Sequence, residues 1–379
     1  MNDTYRPSAN HWLIAGVIAA SMLAFTSSAF AGSYQRTNLV SDVAGANQVD
    51  PDLVNPWGIS ASPSPTGPLW ISDNGTGLAS VYVISTAVAN SLVVTIPPPL
   101  VVTIPPPPGS PAGTTAAPDG NVFNGSGGFL VSNGTTSGSS VFMFATEDGT
   151  LSGWSPSVDL THALVAVDNS VVDPSDAQHR SAVYKGLAIA TNPQGKTFIY
   201  ATNFRGGFVE MYDSDFTLVK TFTDHTLPDS YAPFGIQMIN GKLFVTYAKL
   251  DSKKHDDAAG PGRGFIDTFD LNGNLLSRFA AHGSLNSPWG IALAPANFGD
   301  FSNALLVGNF GDGTINAFDV SAGTFLGQLK DASGNPLVFN GLWGLRFGNG
   351  GNAGPANTLF VTAGINHEAD GLFASVTAQ

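Results

Sequence analysis

Six short apolar segments of the chain each end on a corner residue, and four of those corners carry a side-chain oxygen: Asn74, Glu147, Asn203 and Asn309. The other two are Ala248 and Gly364. Carboxylate and amide oxygens are the ligands that a hard cation such as Ca²⁺ takes, so these four form the candidate metal set. The competing chemistry for Asn at such a place is local, because its side chain fixes a turn by bonding to nearby backbone. Lys185 is the only charge inside a recurring aromatic-Gly motif. It suits an anionic group or the polarisation of a carbonyl; the other reading lays its stem on apolar surface with the amine in water. Trp57, Trp289 and Trp343 each precede a Gly. They offer faces on which a sugar or other ring stacks, or they fill a core. The segment 249–257 is the densest charge cluster and holds His255, Asp256 and Asp257; His367 stands beside Glu368. These complete the candidate ligand-binding residues. No His-x-x-x-His pair, Gly-x-Ser-x-Gly elbow, phosphate loop or dinucleotide fingerprint occurs, so no catalytic residue is assigned.

Composition narrows the classes. The chain has 379 residues, 44 Gly, 25 Pro, 25 Phe and no Cys, with 15 Lys and Arg against 28 Asp and Glu. Without Cys there is no disulfide, thiol nucleophile or Cys-type zinc site. A net charge of -13 has the wrong sign for displacing counterions from nucleic acid. A hydrophobic share of 43% excludes a disordered acidic chain.

The elements that position the candidates are read from self-similarity. Pro or an apolar residue, an aromatic residue, Gly, then Ile or Leu recurs at Pro56-Trp57-Gly58-Ile59, Tyr184-Lys185-Gly186-Leu187, Pro233-Phe234-Gly235-Ile236, Pro288-Trp289-Gly290-Ile291 and Leu342-Trp343-Gly344-Leu345. The Gly spacings are 128, 49, 55 and 54. The first is about double the rest, so a degenerate copy lies inside it, starting at Gly120-Asn121-Val122-Phe123. A second strand-like segment follows each motif, then a third and in most units a fourth. All are short, rich in β-branched and aromatic residues and bounded by Gly, Asn, Asp or Pro.

Six units of four strands describe an all-β, six-bladed β-propeller. The last unit has three strands, and an orphan strand, Tyr34 to Val40, precedes the first unit. The sequence therefore predicts a ring closed by the N-terminal strand in the last blade. In that fold the corner residues and the residues before the recurring Gly share the face around the central channel.

Two segments stand apart. Arg6, the apolar run from Trp12 to Phe25 and Ala29-Phe30-Ala31 read as a signal peptide over 1–31, with 32–379 as one propeller domain. The product is then exported, periplasmic or extracellular, without a membrane span after cleavage, and a monomer. Val93-Val94-Thr95-Ile96-Pro97-Pro98-Pro99 recurs at Val101 to Pro107. It reads as a proline-rich duplicated insertion, 93–118, between blades one and two: a stiff surface link, or a polyproline ligand for a partner.

The run Pro288-Trp289-Gly290-Ile291-Ala292, Leu305 to Asn309 and Ile315 to Asp319 resembles the NHL repeat. Over residues 34–376 the chain is similar to an uncharacterised family of exported bacterial six-bladed propellers, through Asn55 to Ile59, Ala145 to Gly149, Tyr184 to Ala188, Leu306 to Gly313 and Gly341 to Gly344. Wider six-bladed relatives include calcium-dependent lactonases typified by gluconolactonase and regucalcin. A strong scaffold without a recognisable catalytic set points to a non-catalytic ligand- or protein-binding module working through the channel face on a small molecule, a glycan or an envelope protein. The alternatives are a calcium-dependent hydrolase or lactonase and a structural protein of the cell envelope.

Overall fold

The recurring Gly is where neighbouring inner strands touch. The computed structural model describes residues 1–2, 4, 32–86, 92–96, 100–171 and 181–379; of the expected leader, 1–31, all but residues 1, 2 and 4 lies outside them. The inner strands are β3 (Pro56–Ala61), β8 (Pro118–Phe123), β14 (Tyr184–Thr191), β18 (Tyr231–Ile239), β22 (Pro288–Leu293) and β26 (Leu342–Phe347). A methyl group at Gly58 would stand 2.5 Å from the Asp119 carbonyl oxygen, and one at Gly186 3.0 Å from that of Phe234. At Gly120, Gly235 and Gly290 it would overlap backbone of the next motif, at Leu187, Trp289 and Trp343. Gly344 completes the circuit at 2.5 Å from the Trp57 carbonyl oxygen. Only a residue without Cβ permits this approach. The degenerate copy at Gly120 sits in the ring like the rest.

Antiparallel sheets radiate from the ring. Blade one adds β4 (Leu69–Asp73) and β5 (Leu78–Thr86) to β3, with β6 (Leu92–Thr95) and β7 (Val102–Thr103) on its rim. Blade two adds β11 (Phe142–Thr146), β12 (Thr150–Trp154) and β13 (Leu164–Asp168) to β8, with a hairpin of β9 (Leu130–Ser132) and β10 (Ser137–Ser139) inserted. Blade three continues from β14 through β15 (Thr197–Asn203), β16 (Phe208–Tyr212) and β17 (Leu218–Phe222). Blade four continues through β19 (Lys242–Lys249), β20 (Gly264–Phe269) and β21 (Leu275–Ala281). Blade five has β23 (Leu305–Asn309), β24 (Ile315–Phe318) and β25 (Phe325–Gln328). Blade six runs β26, β27 (Leu359–Ile365), β28 (Asp370–Ala378) and then β1 (Tyr34–Ser41), with β2 (Gln48–Val49) beside it. The fold is thus an all-β six-bladed propeller. β1 pairs antiparallel with β28 from Tyr34↔Ala378 to Ser41↔Leu372. The expected ring closure is present.

Burial follows the same plan. Six apolar clusters fill the spaces between successive blades, including blades six and one, where Leu39, Val40 and Phe373 meet Ile71 and Tyr82. A seventh, with Trp57, Phe234, Trp289 and Trp343, lies on the axis.

The duplicated segment differs from its expectation as a link between blades. Both copies pair with one strand of blade one: β6 with Val83–Thr86 and β7 with Leu78–Ala79. Val94, Val102 and Ile104 are buried. The Val-Val-Thr-Ile half of each copy has strong β character and an apolar face, so it extends the blade.

The glycine ring gives a graded test. Gly344→Ala should cost about 3 kcal/mol and Gly186→Ala about 1 kcal/mol, the range for overpacking a filled site. Denaturant midpoints check the order; equal midpoints would remove the steric account.

Candidate functional site

A register shift aims the residue before each motif Gly. In blades one, three, four, five and six the inner pairing skips between Pro56 and Ile59, Tyr184 and Leu187, Pro233 and Ile236, Pro288 and Ile291, and Leu342 and Leu345. A bulge of this kind redirects a side chain. Trp57 and Trp343 stack with centroids 3.5 Å apart, and Trp289 meets both edge-on at 6.0 and 5.6 Å. Three blades can bring rings that close only at the axis. Hydroxyls on the second strands hold the bulges: Thr246 and Thr362 Oγ1 accept from the Gly235 and Gly344 amides, both at 2.8 Å. The three Trp are buried. They plug the channel and do not form the open rim on which a ring could stack. Below them a cavity of about 40 Å³ lies among the six motif glycines, room for little beyond water.

Lys185 and Asp119 occupy the Trp position in blades three and two. Lys185 is 2% exposed; its Nζ lies 5.1 Å from the centre of the Trp57 ring and donates to Glu147 Oε1 and, at 3.2 Å, to Asp256 Oδ1. Burial pulls the ammonium pKa down, but the charges of Glu147 and Asp256 outweigh it, so the group sits above its ordinary value. His255 Nδ1 lies 2.9 Å from Asp256 Oδ1. That hydrogen bond raises the imidazole pKa and does most to hold Asp256 well below the carboxylate range. On the other side, Asn74 Nδ2 donates to Glu147 Oε2 at 2.9 Å, and Asn55 Nδ2 to Asn74 Oδ1 and Glu368 Oε1, both at 3.2 Å. One polar chain therefore crosses blades six, one, two, three and four. Burial, then the Glu147 charge, raises the Glu368 pKa.

Blade five is the gap in that arc. There a cavity of about 560 Å³ opens beside Phe310, lined by Asp312, Asn340, Asn366, His367 and Glu368. Phe310 stacks on Trp343 with centroids 4.1 Å apart, so its ring is braced from below. Asn366, His367 and Glu368 all have positive φ, at 54°, 58° and 66°. Three such residues in a row store strain that surrounding contacts must hold.

The four candidate calcium ligands do not converge. Asn74 and Glu147 join the polar chain, whereas Asn203 Nδ2 donates to Glu210 at 2.8 Å and Asn309 Nδ2 to the Ser284 carbonyl at 2.8 Å. Those two serve their own turns. Glu147, His255 and Asp256 do place ligand atoms within 4.8 Å of one another. Both carboxylates, however, already face the Lys185 ammonium. The residues present do not fit Ca²⁺, because a side-chain cation fills the position a metal would need. His255 belongs to this cluster and His367 to the cavity beside it. Asp119, Asn55 and Phe310 escaped sequence reasoning; alignment of the degenerate copy would have put Asp119 in the Trp column.

Buried acids set a pH response. Asp73 and Asp119 are fully buried, each with one unpartnered oxygen, and burial lifts both well above the carboxylate range. Burial also pushes Asp267 up to about 7 against the pull of Arg278. A raised folded-state pKa means the native state holds the proton while the unfolded chain has lost it, so stability falls as pH rises through that window. Thermal melting should show a higher Tm near pH 5 than near pH 8. A higher Tm at pH 8 would contradict this.

The comparisons place the chain among known proteins. No family model matches it. Among solved structures, an α-L-arabinanase of Penicillium chrysogenum superposes with a TM-score of 0.50 at 12% identity, over 92% of this chain and 98% of that one. A Xanthomonas campestris gluconolactonase reaches 0.49 at 15% identity, over 86% and 87%. At such identities the likeness is one of fold. In sequence, the uncharacterized proteins R648 and L690 of Acanthamoeba polyphaga mimivirus are each 31% identical over 87% of this chain, covering 76% and 82% of the viral proteins. The resemblance pointed to bacterial relatives, and these are viral. At that identity and coverage, the chain belongs to the family that contains these two mimivirus proteins.

Proposed function

We propose that the chain is a non-catalytic binding propeller that takes a neutral sugar in the channel-face cavity beside Phe310. The observation that carries this reading is the placement of the cavity at the one break in the polar arc. There a braced aromatic face stands among hydrogen-bonding side chains. Phe310 receives the apolar face of a sugar ring, and Asn340, Asn366 and Glu368 meet its hydroxyls. The plugged channel and the Lys185-filled carboxylate cluster support binding over metal-assisted hydrolysis. Export of a chain cleaved after Ala31 belongs to the same proposal; N-terminal sequencing of the mature protein tests it.

The experiment is calorimetric titration with a panel of neutral mono- and disaccharides, with Trp emission followed in parallel. Binding that changes emission through Trp343 and drops at least tenfold in Phe310→Ala and Glu368→Gln supports the reading. No binding across the panel, or turnover of a lactone or ester panel, overturns it.

A further inference from the structure

The far mouth of the channel, where the inner strands end, carries a second cation. Arg346 lies two residues past Gly344 on β26. Its Nη2 donates to the Ala61 carbonyl at 3.2 Å, and its Nε is buried without a hydrogen-bond partner. Burial alone acts on the guanidinium and brings its pKa down to about 10; among the described residues no carboxylate stands near enough to oppose it. A half-buried cation with no ion-pair partner among the described residues is costly, and it is unexpected in a chain with 28 acidic residues. Two adjoining cavities of about 190 and 340 Å³ meet at Arg346 and share Ile59, Gln237 and Met238. Ile189 completes one wall, and Leu293 and Phe347 the other. The glycine-lined space on the axis is too small to connect this mouth with the Phe310 cavity.

We propose that this mouth binds a carboxylate on an aliphatic chain, the head group on Arg346 and the chain along Ile59, Met238 and Leu293. The guanidinium fork matches a carboxylate in two hydrogen bonds, a geometry that Lys does not reproduce. Ile59, Met238 and Leu293 give the chain an apolar strip within a lining that also holds Gln237 and Asn240. The occupant is a small amphiphile, matched to cavities of this volume.

Octanoate is the probe, with octanol and inorganic phosphate as comparators, titrated calorimetrically into the full chain. The proposal expects octanoate to bind at least tenfold more tightly than either comparator. Arg346→Gln should remove that preference. Met238→Glu, at an exposed rim position, should weaken octanoate at least tenfold without disturbing the core. Equal binding of octanoate and octanol would show an apolar crevice only, and phosphate binding as tight as octanoate an anion site without chain recognition. Absence of octanoate binding, a preference retained in Arg346→Gln, or undiminished octanoate binding in Met238→Glu also overturns the proposal. Sugar binding at Phe310 should be unchanged in both variants, so failure here is separable from failure there.

Discussion

A chain lacking residues 32–41 should lose more than about 5 kcal/mol of stability and melt at least 10 °C below the intact protein. Tyr34, Leu39 and Val40 are buried at 2%, 1% and 0% exposure, and burying side chains of this size is worth about 1.5–3 kcal/mol each. The deletion also strips the hydrogen-bonded edge of β28, leaving a strand free to pair with another molecule. Leu39 is the out-of-register residue between Asn38 and Val40, yet it packs between blades six and one. Leu39→Ala alone should cost about 3 kcal/mol. Calorimetry gives the Tm, and limited proteolysis reports exposure of β28. A truncated chain with unchanged melting would mean that the ring holds without its terminal clasp.

Lys185→Met should destabilise the protein by about 3–5 kcal/mol and confer a response to metal that the parent lacks. Removing one partner of a buried pair leaves the other charge uncompensated, here Glu147, 13% exposed, beside Asp256. Methionine keeps an unbranched apolar stem in place of the ammonium that stands over Trp57, so the loss reports the charge more than the packing. Glu147→Gln in the same chain should recover part of the loss, since the two residues act as a pair. With the ammonium gone, Glu147, His255 and Asp256 keep three ligand atoms within 4.8 Å of one another. Thermal melting with and without Zn²⁺ is the measurement: stabilisation is expected in Lys185→Met and absent in the parent. Stabilisation of the parent would restore the metal reading that the geometry disfavours.

What could be read from the sequence followed from repetition. One Gly per unit, set by backbone contact around a narrow axis, recurs because every blade meets the same constraint. Counting it yields the six blades, the degenerate copy and the unpaired first strand. The candidate site obeys no such rule. Asn74, Asn203 and Asn309 occupy equivalent corners, but Asn203 faces Glu210 of its own blade and Asn309 faces Asp312. Asn74 has Glu147 from the next blade instead. Residue type at a repeated position is local information; the neighbour across the ring is not. Lys185 stands out in sequence as the one charge in its column, but its partners come from loops 38 and 71 residues away. The duplicated Val-Val-Thr-Ile segments read as a link because the prolines beside them mask the β-forming half of each copy.

The β1–β28 pairing also fixes the order of events at the ribosome. The first strand of the ring to be synthesised is the last to find its partner, since Ser41 and Gly371 are 330 residues apart in sequence. At roughly 5–20 residues per second, β1 waits on the order of tens of seconds while five blades assemble from contacts local to each. Until β28 has been made, every nascent molecule carries a β1 whose inner edge is unpaired and whose apolar face is uncovered. A chaperone or export factor that shields that one segment would serve the whole ring.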